Sequence, residues 1–320
     1  MNERLNTFYE TTLGRAYSCD SLALLRQLPD ASIDLVLTSP PFALTKKKSY
    51  GNVSATSYWS WFEPFALEIW RVLKPRGSLV LEIGGSWKPG FPVRSLYNVE
   101  VLLNLTERSG LFYLAQEFFW HNPAKMPAPA QWVTIERIRV KDSVTPIWWL
   151  SKSMRPKASN RRVLRPYSKS MQNLLKNGYN KGKRPSGHDV SNKWGNKHKG
   201  SIPDNIIIAS NTRSTDRYLD ACRALNLQIH PARFVREVPE FFVKFATVRG
   251  DTVLDPFAGS NIVGEVCESL GREWISAEIN SEYVYGSSFR FEGVGELVYA
   301  LYQAGDAEHL LSLSSERESQ

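Results

Sequence analysis

Cysteine is scarce: three residues in 320, Cys19, Cys222 and Cys267, far apart and in no ligand spacing. That excludes a disulfide framework and a zinc site and points to a reducing cytoplasm. Each cysteine reads as a small buried apolar residue. Long hydrophobic runs are missing too. None approaches the roughly 18 apolar residues of a membrane span, and Met1-Asn2-Glu3-Arg4 leads into no apolar signal segment. No internal repeat is visible. What the chain does have is 42% hydrophobic content, enough for one large domain or a domain with an insert.

Acidic residues are sparse in one place only. From 121 to 205 there are 18 Lys and Arg against 4 Asp and Glu, whereas the rest of the chain has 22 basic and 28 acidic residues. The whole of the +8 net charge therefore comes from the middle third. A solvated basic face is the usual reading of a charge run. A polyanion partner explains this asymmetry better, because Lys and Arg drive affinity for phosphate backbones. In the same segment Pro123, Pro127 and Pro129 break regular structure, and Trp132, Trp148, Trp149 and Tyr167 alternate with arginines and lysines. We read 121–202 as an irregular basic insert that contacts double-stranded nucleic acid. Arg184, His188 and Lys193 are its candidate base or phosphate contacts. This leaves 1–120 and 203–291 as a discontinuous core, and 292–320 as a C-terminal tail.

The core is organised around Ile33-Asp34-Leu35-Val36-Leu37-Thr38-Ser39-Pro40-Pro41-Phe42. A short apolar run reads as a buried strand. Two prolines stop its ladder and stiffen the turn, and they hold Ser39 extended. The result is a rigid corner at a strand's carboxyl end, where open α/β sheets bind ligands. A planar base could stack on Phe42 while its amine donates to Ser39 and a prolyl carbonyl. The basic loop Lys46-Lys47-Lys48 follows and could close over a phosphate backbone.

Leu13 to Asp20 reads as a strand ending in an acid, with a helix over 21–28. Asp20 could accept from a ligand, although a plain helix cap would look the same. Trp59, Phe62, Ala66, Ile69 and Leu73 recur at helical spacing and read as core packing, with Pro64 implying a kink or a late start. Leu79 to Gly85 is a further strand, ending at Glu82. Near the carboxyl end, Thr252 to Asp255 is a strand, Pro256 to Asn261 a small-residue turn, Ile262 to Leu270 a helix, and Trp274 to Glu278 a strand. Strand, turn, helix, strand, acid is nucleoside-binding logic, and Glu278 stands 19 residues after Gly259. The repeated glycines of a dinucleotide fingerprint are absent, since Asn261 occupies the next small position. A ligand bearing a carboxylate and an amine suits that helix N-terminus better than a pyrophosphate, which fits S-adenosyl-L-methionine.

Thr38-Ser39-Pro40-Pro41-Phe42, followed by a variable basic region and then Asp255-Pro256-Phe257-Ala258-Gly259-Ser260-Asn261, resembles the β group of amino-methylating DNA methyltransferases of bacterial restriction–modification systems. Ser before Pro-Pro is similar to the cytosine-N4 branch. Arg184 to Asp189 and His230 to Arg233 add to the likeness. The resemblance implies an α/β, Rossmann-like fold with a seven-stranded mixed sheet, one strand antiparallel, and a target-recognition insert. It implies methyl transfer from S-adenosyl-L-methionine to the exocyclic N4 of a flipped cytosine. It also implies a cognate restriction endonuclease as functional partner. Ser39, Pro40, Pro41 and Phe42 would be catalytic. Asp20 would meet the adenine amine and Glu278 the ribose; Phe257, Gly259, Ser260 and Asn261 would hold the cofactor; Asp255, His230 and Pro231 would border its methionine end. Glu82 stands where relatives often have Asp, and its role is open. The missing Pro-Cys dipeptide argues against carbon-5 cytosine chemistry. Methylating one strand at a time suits a monomer. Three other readings remain: an adenine-N6 methyltransferase, an RNA methyltransferase, and a non-catalytic nucleic-acid-binding protein.

Overall fold

All six residues of Ile33–Thr38 are buried, and their neighbours in the fold explain why. A computed structural model describes residues 5–44, 53–178, 182–183, 185–187, 189–190 and 199–304. In chain order the sheet strands are β1 (Tyr9–Glu10), β2 (Gly14–Ser18), β3 (Ile33–Thr38), β4 (Leu73–Glu82), β5 (Tyr113–His121), β6 (Val144–Ser151), β7 (Ile206–Ile208), β8 (Thr252–Asp255) and β9 (Glu273–Glu278). They form one sheet in the order β1-β2-β9-β8-β3-β4-β6-β5-β7. β3 is therefore covered on both edges, by β8 and by β4. Among these strands only β6 and the edge strand β1 run antiparallel to the rest.

The helices are α1 (Ser21–Gln27), α2 (Tyr58–Val72), α3 (Tyr97–Leu103), α4 (Lys169–Asn177), α5 (Arg217–Ala224), α6 (Glu237–Ala246), α7 (Ile262–Leu270), α8 (Ser281–Ser288) and α9 (Val294–Ala304). α2 joins β3 to β4 in one direction across the sheet. α7 joins β8 to β9 in the other. Right-handed crossovers put these two helices on opposite faces, so the strand order reverses between β3 and β8. The crevice at their carboxyl ends is where the sheet opens for a ligand. Beneath α2, the side chains of Phe62, Ala66, Ile69 and Val72 are fully buried. Burying one such large apolar side chain is worth roughly 1.5–3 kcal/mol.

At the opposite end of β3 a charge is buried and fully paired. The Asp34 carboxylate accepts from Lys74 Nζ at 2.6 Å, Lys157 Nζ at 2.9 Å and the Thr252 backbone N–H at 3.2 Å. Burial alone would raise its pKa; these donors outweigh burial and hold it below the usual carboxylate range. Lys157 also bridges to Asp251 at 2.6 Å, which ties β3 to the start of β8.

Four expectations need correction. Among the described residues the sheet has nine strands rather than seven, because the short edge strands β1 and β7 extend it at either side. The separate segment is 158–204, not 121–202: contacts divide the chain into Met1–Lys157 with Asn205–Gln320, and Ala158–Asp204. β6 lies in the middle of the core sheet, carrying Trp148 and Trp149 into the buried interior. The expected tail contains α9, whose Val298 is buried and whose Tyr302 ring packs on Tyr285 of α8. α2 starts at Tyr58 with Pro64 inside it, so the helix has no late start.

The 158–204 unit has a turn at Asn160–Arg162 and α4, capped by the Ser168 hydroxyl on the Met171 N–H. A two-stranded ribbon pairs Gly182–Lys183 with Asp189–Val190, and Arg165 bridges to Ser201.

Candidate active site

Register builds the first half of the site. Thr38 of β3 is paired with Leu81 of β4, so the next residues, Ser39 and Glu82, emerge side by side. The Ser39 hydroxyl lies beside the Glu82 carboxyl, which is only 4% exposed. Burial pushes the Glu82 pKa up to about 7, against the opposing pull of the Ser39 hydrogen bond and of the Lys125 charge. The prolines then fix the corner. Pro40 is buried, and the Pro41 carbonyl accepts from the Tyr58 hydroxyl of α2 at 2.9 Å. The Phe42 ring lies so close to Gly84 that a Cβ there would come within 2.5 Å of it. The Tyr97 hydroxyl accepts from the Ala43 N–H at 3.3 Å and donates to the Gly84 carbonyl, clamping the corner to the chain beyond β4.

The second half grows from β8 and β9. Asp255 ends β8, is 2% exposed, and accepts from Thr38 Oγ1 at 2.7 Å and the Phe257 N–H at 3.1 Å. Burial raises its pKa to about 7; these bonds oppose the rise and the Glu278 charge adds to it. The turn that follows needs left-handed backbone at Gly259 (φ 51°) and at Asn261 (φ 53°). Asparagine tolerates that region, and its side chain is used twice: Oδ1 caps α7 by accepting from the Gly264 N–H at 3.1 Å, and Nδ2 donates to the Tyr9 hydroxyl at 2.9 Å. Glu278, at the end of β9, receives the Gly259 N–H on one oxygen and the Asn280 N–H on the other, both at 2.9 Å. Burial raises its pKa, while backbone bonds from Asn280, Gly259 and Ile279 resist. The Arg290 guanidinium, 3% exposed, donates to the Ser260 carbonyl and hydroxyl and pairs with Glu265 at 2.7 Å.

A cavity of about 270 Å³ opens between the two halves. Ser39, Pro40, Pro41 and Phe42 line it from one half; Phe257, Ser260 and Glu278 line it from the other, and Asp20 and His230 also belong to the lining. Asp20 caps α1 as well, accepting from the Leu22 N–H at 2.7 Å. Burial drives the His230 pKa down to about 4; a hydrogen bond with the Ala232 backbone opposes this and the Arg233 charge adds to it, so the ring is neutral at pH 7. The His230 ring abuts Gly259, where an added Cβ would meet it at 2.9 Å. Asp255 and Asn261 do not line the cavity. They sit behind its wall and shape the turn. Pro231 is exposed and also lies outside the lining. Lys46, Lys47, Lys48, Arg184, His188 and Lys193 fall outside the described residues.

Sequence reasoning missed Trp61 and Phe65, which line the cavity and pack on Phe257 with ring centroids 5.8 and 5.2 Å apart. Their i, i+4 spacing is that of any core face. It also missed Arg233, a cation in the cavity wall, and the pairing of Glu82 with Ser39.

Comparison with known proteins gives the chain its relatives. A family model described as DNA methylase matches residues 33–289. The type II methyltransferase M.PvuII of Proteus hauseri is 46% identical over 286 residues, covering 88% of this chain and 85% of that protein. The solved PvuII DNA methyltransferase, described as cytosine-N4-specific, superposes with a TM-score of 0.75 at 39% identity, over 93% of this chain and 94% of that one. A Thermus thermophilus protein described as a putative DNA modification methylase, solved with S-adenosyl-L-methionine, shares the fold at 18% identity and a TM-score of 0.55, over 88% and 96% of the chains.

Proposed function

The chain belongs to the DNA methylase family, and from that premise we propose that it transfers a methyl group from S-adenosyl-L-methionine to the exocyclic N4 of cytosine in duplex DNA. The observation that carries this reading is that the Ser39-Pro40-Pro41-Phe42 corner shares one cavity with the Glu278-braced turn. A type II modification enzyme of this kind would protect DNA from a cognate endonuclease.

The residues present fit S-adenosyl-L-methionine. Gly259 lets the turn pack tightly against the His230 ring, α7 presents its N-terminus, and Glu278 lies beside the turn with carboxylate lone pairs for ribose hydroxyls. Phe257, Gly259 and Ser260 would hold the cofactor, Asp20 its adenine amine, and Arg233 its carboxylate. Neutral His230 adds no positive charge near a cationic ligand. Asn261 and Asp255 act from behind, by fixing the turn. When bound, the cofactor supplies an electrophilic sulfonium methyl.

The protein's own part is to make a poor nucleophile competent. The cytosine amine delocalises its lone pair into the ring. Ser39 Oγ, donating to Glu82, keeps lone pairs free to accept from the amine; the Pro40 carbonyl would take the second N–H. Two such bonds favour a tetrahedral nitrogen. Phe42 would stack on the base. The proton released on methylation passes to Ser39 Oγ as its own proton moves to Glu82, whose pKa of about 7 suits a general base at neutral pH. Positioning and electrostatics account for the rest of the barrier reduction. A base inside a duplex cannot reach this cavity, so the target must flip out of the helix. The basic 158–204 unit, with 11 Lys and Arg against 2 Asp and Glu, would offset that through phosphate contacts. Ser39→Ala tests the assignment: DNA and cofactor binding should persist while turnover falls by about 10²-fold or more. Normal turnover in that variant would remove Ser39 from the mechanism.

A further inference from the structure

Between the two residues that clamp the base corner, Gly84 and Tyr97, the chain leaves the sheet as a small hairpin. Ser86–Trp87 pairs antiparallel with Arg94–Ser95. At its tip, Lys88-Pro89-Gly90-Phe91 makes a type II turn: Pro89 stands at the second position, Gly90 has φ 80°, and the Phe91 N–H returns to the Lys88 carbonyl at 3.1 Å. The Lys88 N–H closes the loop on the Val93 carbonyl at 3.0 Å. Phe91 is flanked by this turn and by Pro92, yet its side chain is 63% exposed. Val93 and Leu96 beside it are exposed as well.

The hairpin is braced from one side. The Arg139 guanidinium stacks over Trp87, 3.8 Å from the ring centroid, and donates to the Pro92 carbonyl at 2.8 Å. Trp132 packs edge-on against the same Trp87. Arg94 and Arg139 both approach Asp142, at 3.7 and 3.8 Å. A rigid, apolar-tipped projection is thus held with cationic groups at its base. Its root at Gly84 touches Phe42, and the seven residues from there to Phe91 span at most roughly 24 Å.

We infer that Phe91 is a wedge that enters duplex DNA beside the target and fills the gap left in the stack when the base turns into the corner. This rests on the DNA methyltransferase reading above. An apolar side chain inserted between base steps is a known way to stabilise an unstacked duplex. Here it comes preorganised, so little ordering entropy is spent. Lys88, Arg94 and Arg139 give its flanks the charge that a phosphate backbone requires. Phe91 touches neither the cofactor turn nor the Ser39–Glu82 pair, so its contribution is to the flipping equilibrium alone.

The test compares wild type, Phe91→Ala and Phe91→Leu on two duplexes, one with the target cytosine paired to guanine and one with it opposite an abasic site. Extrusion of an unpaired base is cheap. Phe91→Ala should lower kcat/KM on the paired duplex by about tenfold or more and leave it within about threefold of wild type on the abasic duplex, with Phe91→Leu between. Thermal stability should not change, because the side chain is exposed. Equal rates for Phe91→Ala and wild type on the paired duplex, or the same loss on both duplexes, would overturn the wedge. No transfer by wild type to any duplex would overturn the DNA methyltransferase reading and the wedge with it.

Discussion

Replacing Glu82 by Gln separates two consequences of one buried carboxyl. Gln keeps the shape and can still accept the Ser39 hydrogen bond, but it cannot take a proton. Burial raises the Glu82 pKa from 4.5 to about 7. At 1.36 kcal/mol per pKa unit, ionising this group in the folded protein costs about 3 kcal/mol. A carboxyl whose pKa is raised on folding contributes stability that is fully present below pH 4.5. That contribution is lost as the pH climbs through 7. Wild type should therefore lose stability between pH 5 and pH 8, while Glu82→Gln loses less. In urea denaturation the variant's advantage should grow by about 2 kcal/mol over that interval. Asp255, with a pKa of about 7, titrates in both proteins and drops out of the difference. Turnover moves the other way. Wild-type kcat should rise with pH to a plateau above about 7, and Glu82→Gln should fall by about 10²–10⁴-fold with cofactor and DNA affinity kept. A variant with wild-type kcat, or with no pH-dependent stability gain, would refute the reasoning.

Other perturbations probe the supports of the site. Gly259→Ala places a methyl in left-handed backbone against His230; isothermal titration should show S-adenosyl-L-methionine binding about tenfold or more weaker. Tyr9→Phe removes one hydroxyl from the buried Asn261–Tyr9–Ser287 chain, and should cost about 1–3 kcal/mol in denaturant unfolding while also weakening cofactor binding. Lys157→Met leaves Asp34 and Asp251 short of a shared cation; unfolding free energy should drop by about 2 kcal/mol at pH 7, with kcat unchanged. Part of that loss should vanish as the pH falls through the depressed pKa of Asp34, since protonation removes the charge that Lys157 serves.

The local grammar of the site was legible because it is local. A buried apolar strand ending in two prolines, and a strand, small-residue turn, helix and second strand ending in an acid, each lie within about twenty-seven consecutive residues. The helix over Ile262–Leu270 begins where Asn261 caps it and ends at Gly271, a left-handed C-terminal residue, and both signals stand in the sequence. The Ser39–Glu82 pair was not legible, since it depends on which residue of β4 lies opposite Thr38. Trp61 and Phe65 hid for another reason: a helix face that lines a cavity carries the same spacing as one that fills a core. β6 hid among prolines and charges, although Ile147, Trp148, Trp149 and Leu150 are all buried. With only two and three residues, β1 and β7 offer no alternation to read.

The most direct test of the account is methyl transfer from labelled S-adenosyl-L-methionine to unmethylated duplex DNA, followed by mass spectrometry of the nucleosides. The account predicts label in N4-methylcytosine, at a defined sequence. Label in N6-methyladenine would keep the fold and the cofactor but contradict the reading of the Ser39 corner. Cofactor binding without any labelled nucleoside would contradict the proposed substrate.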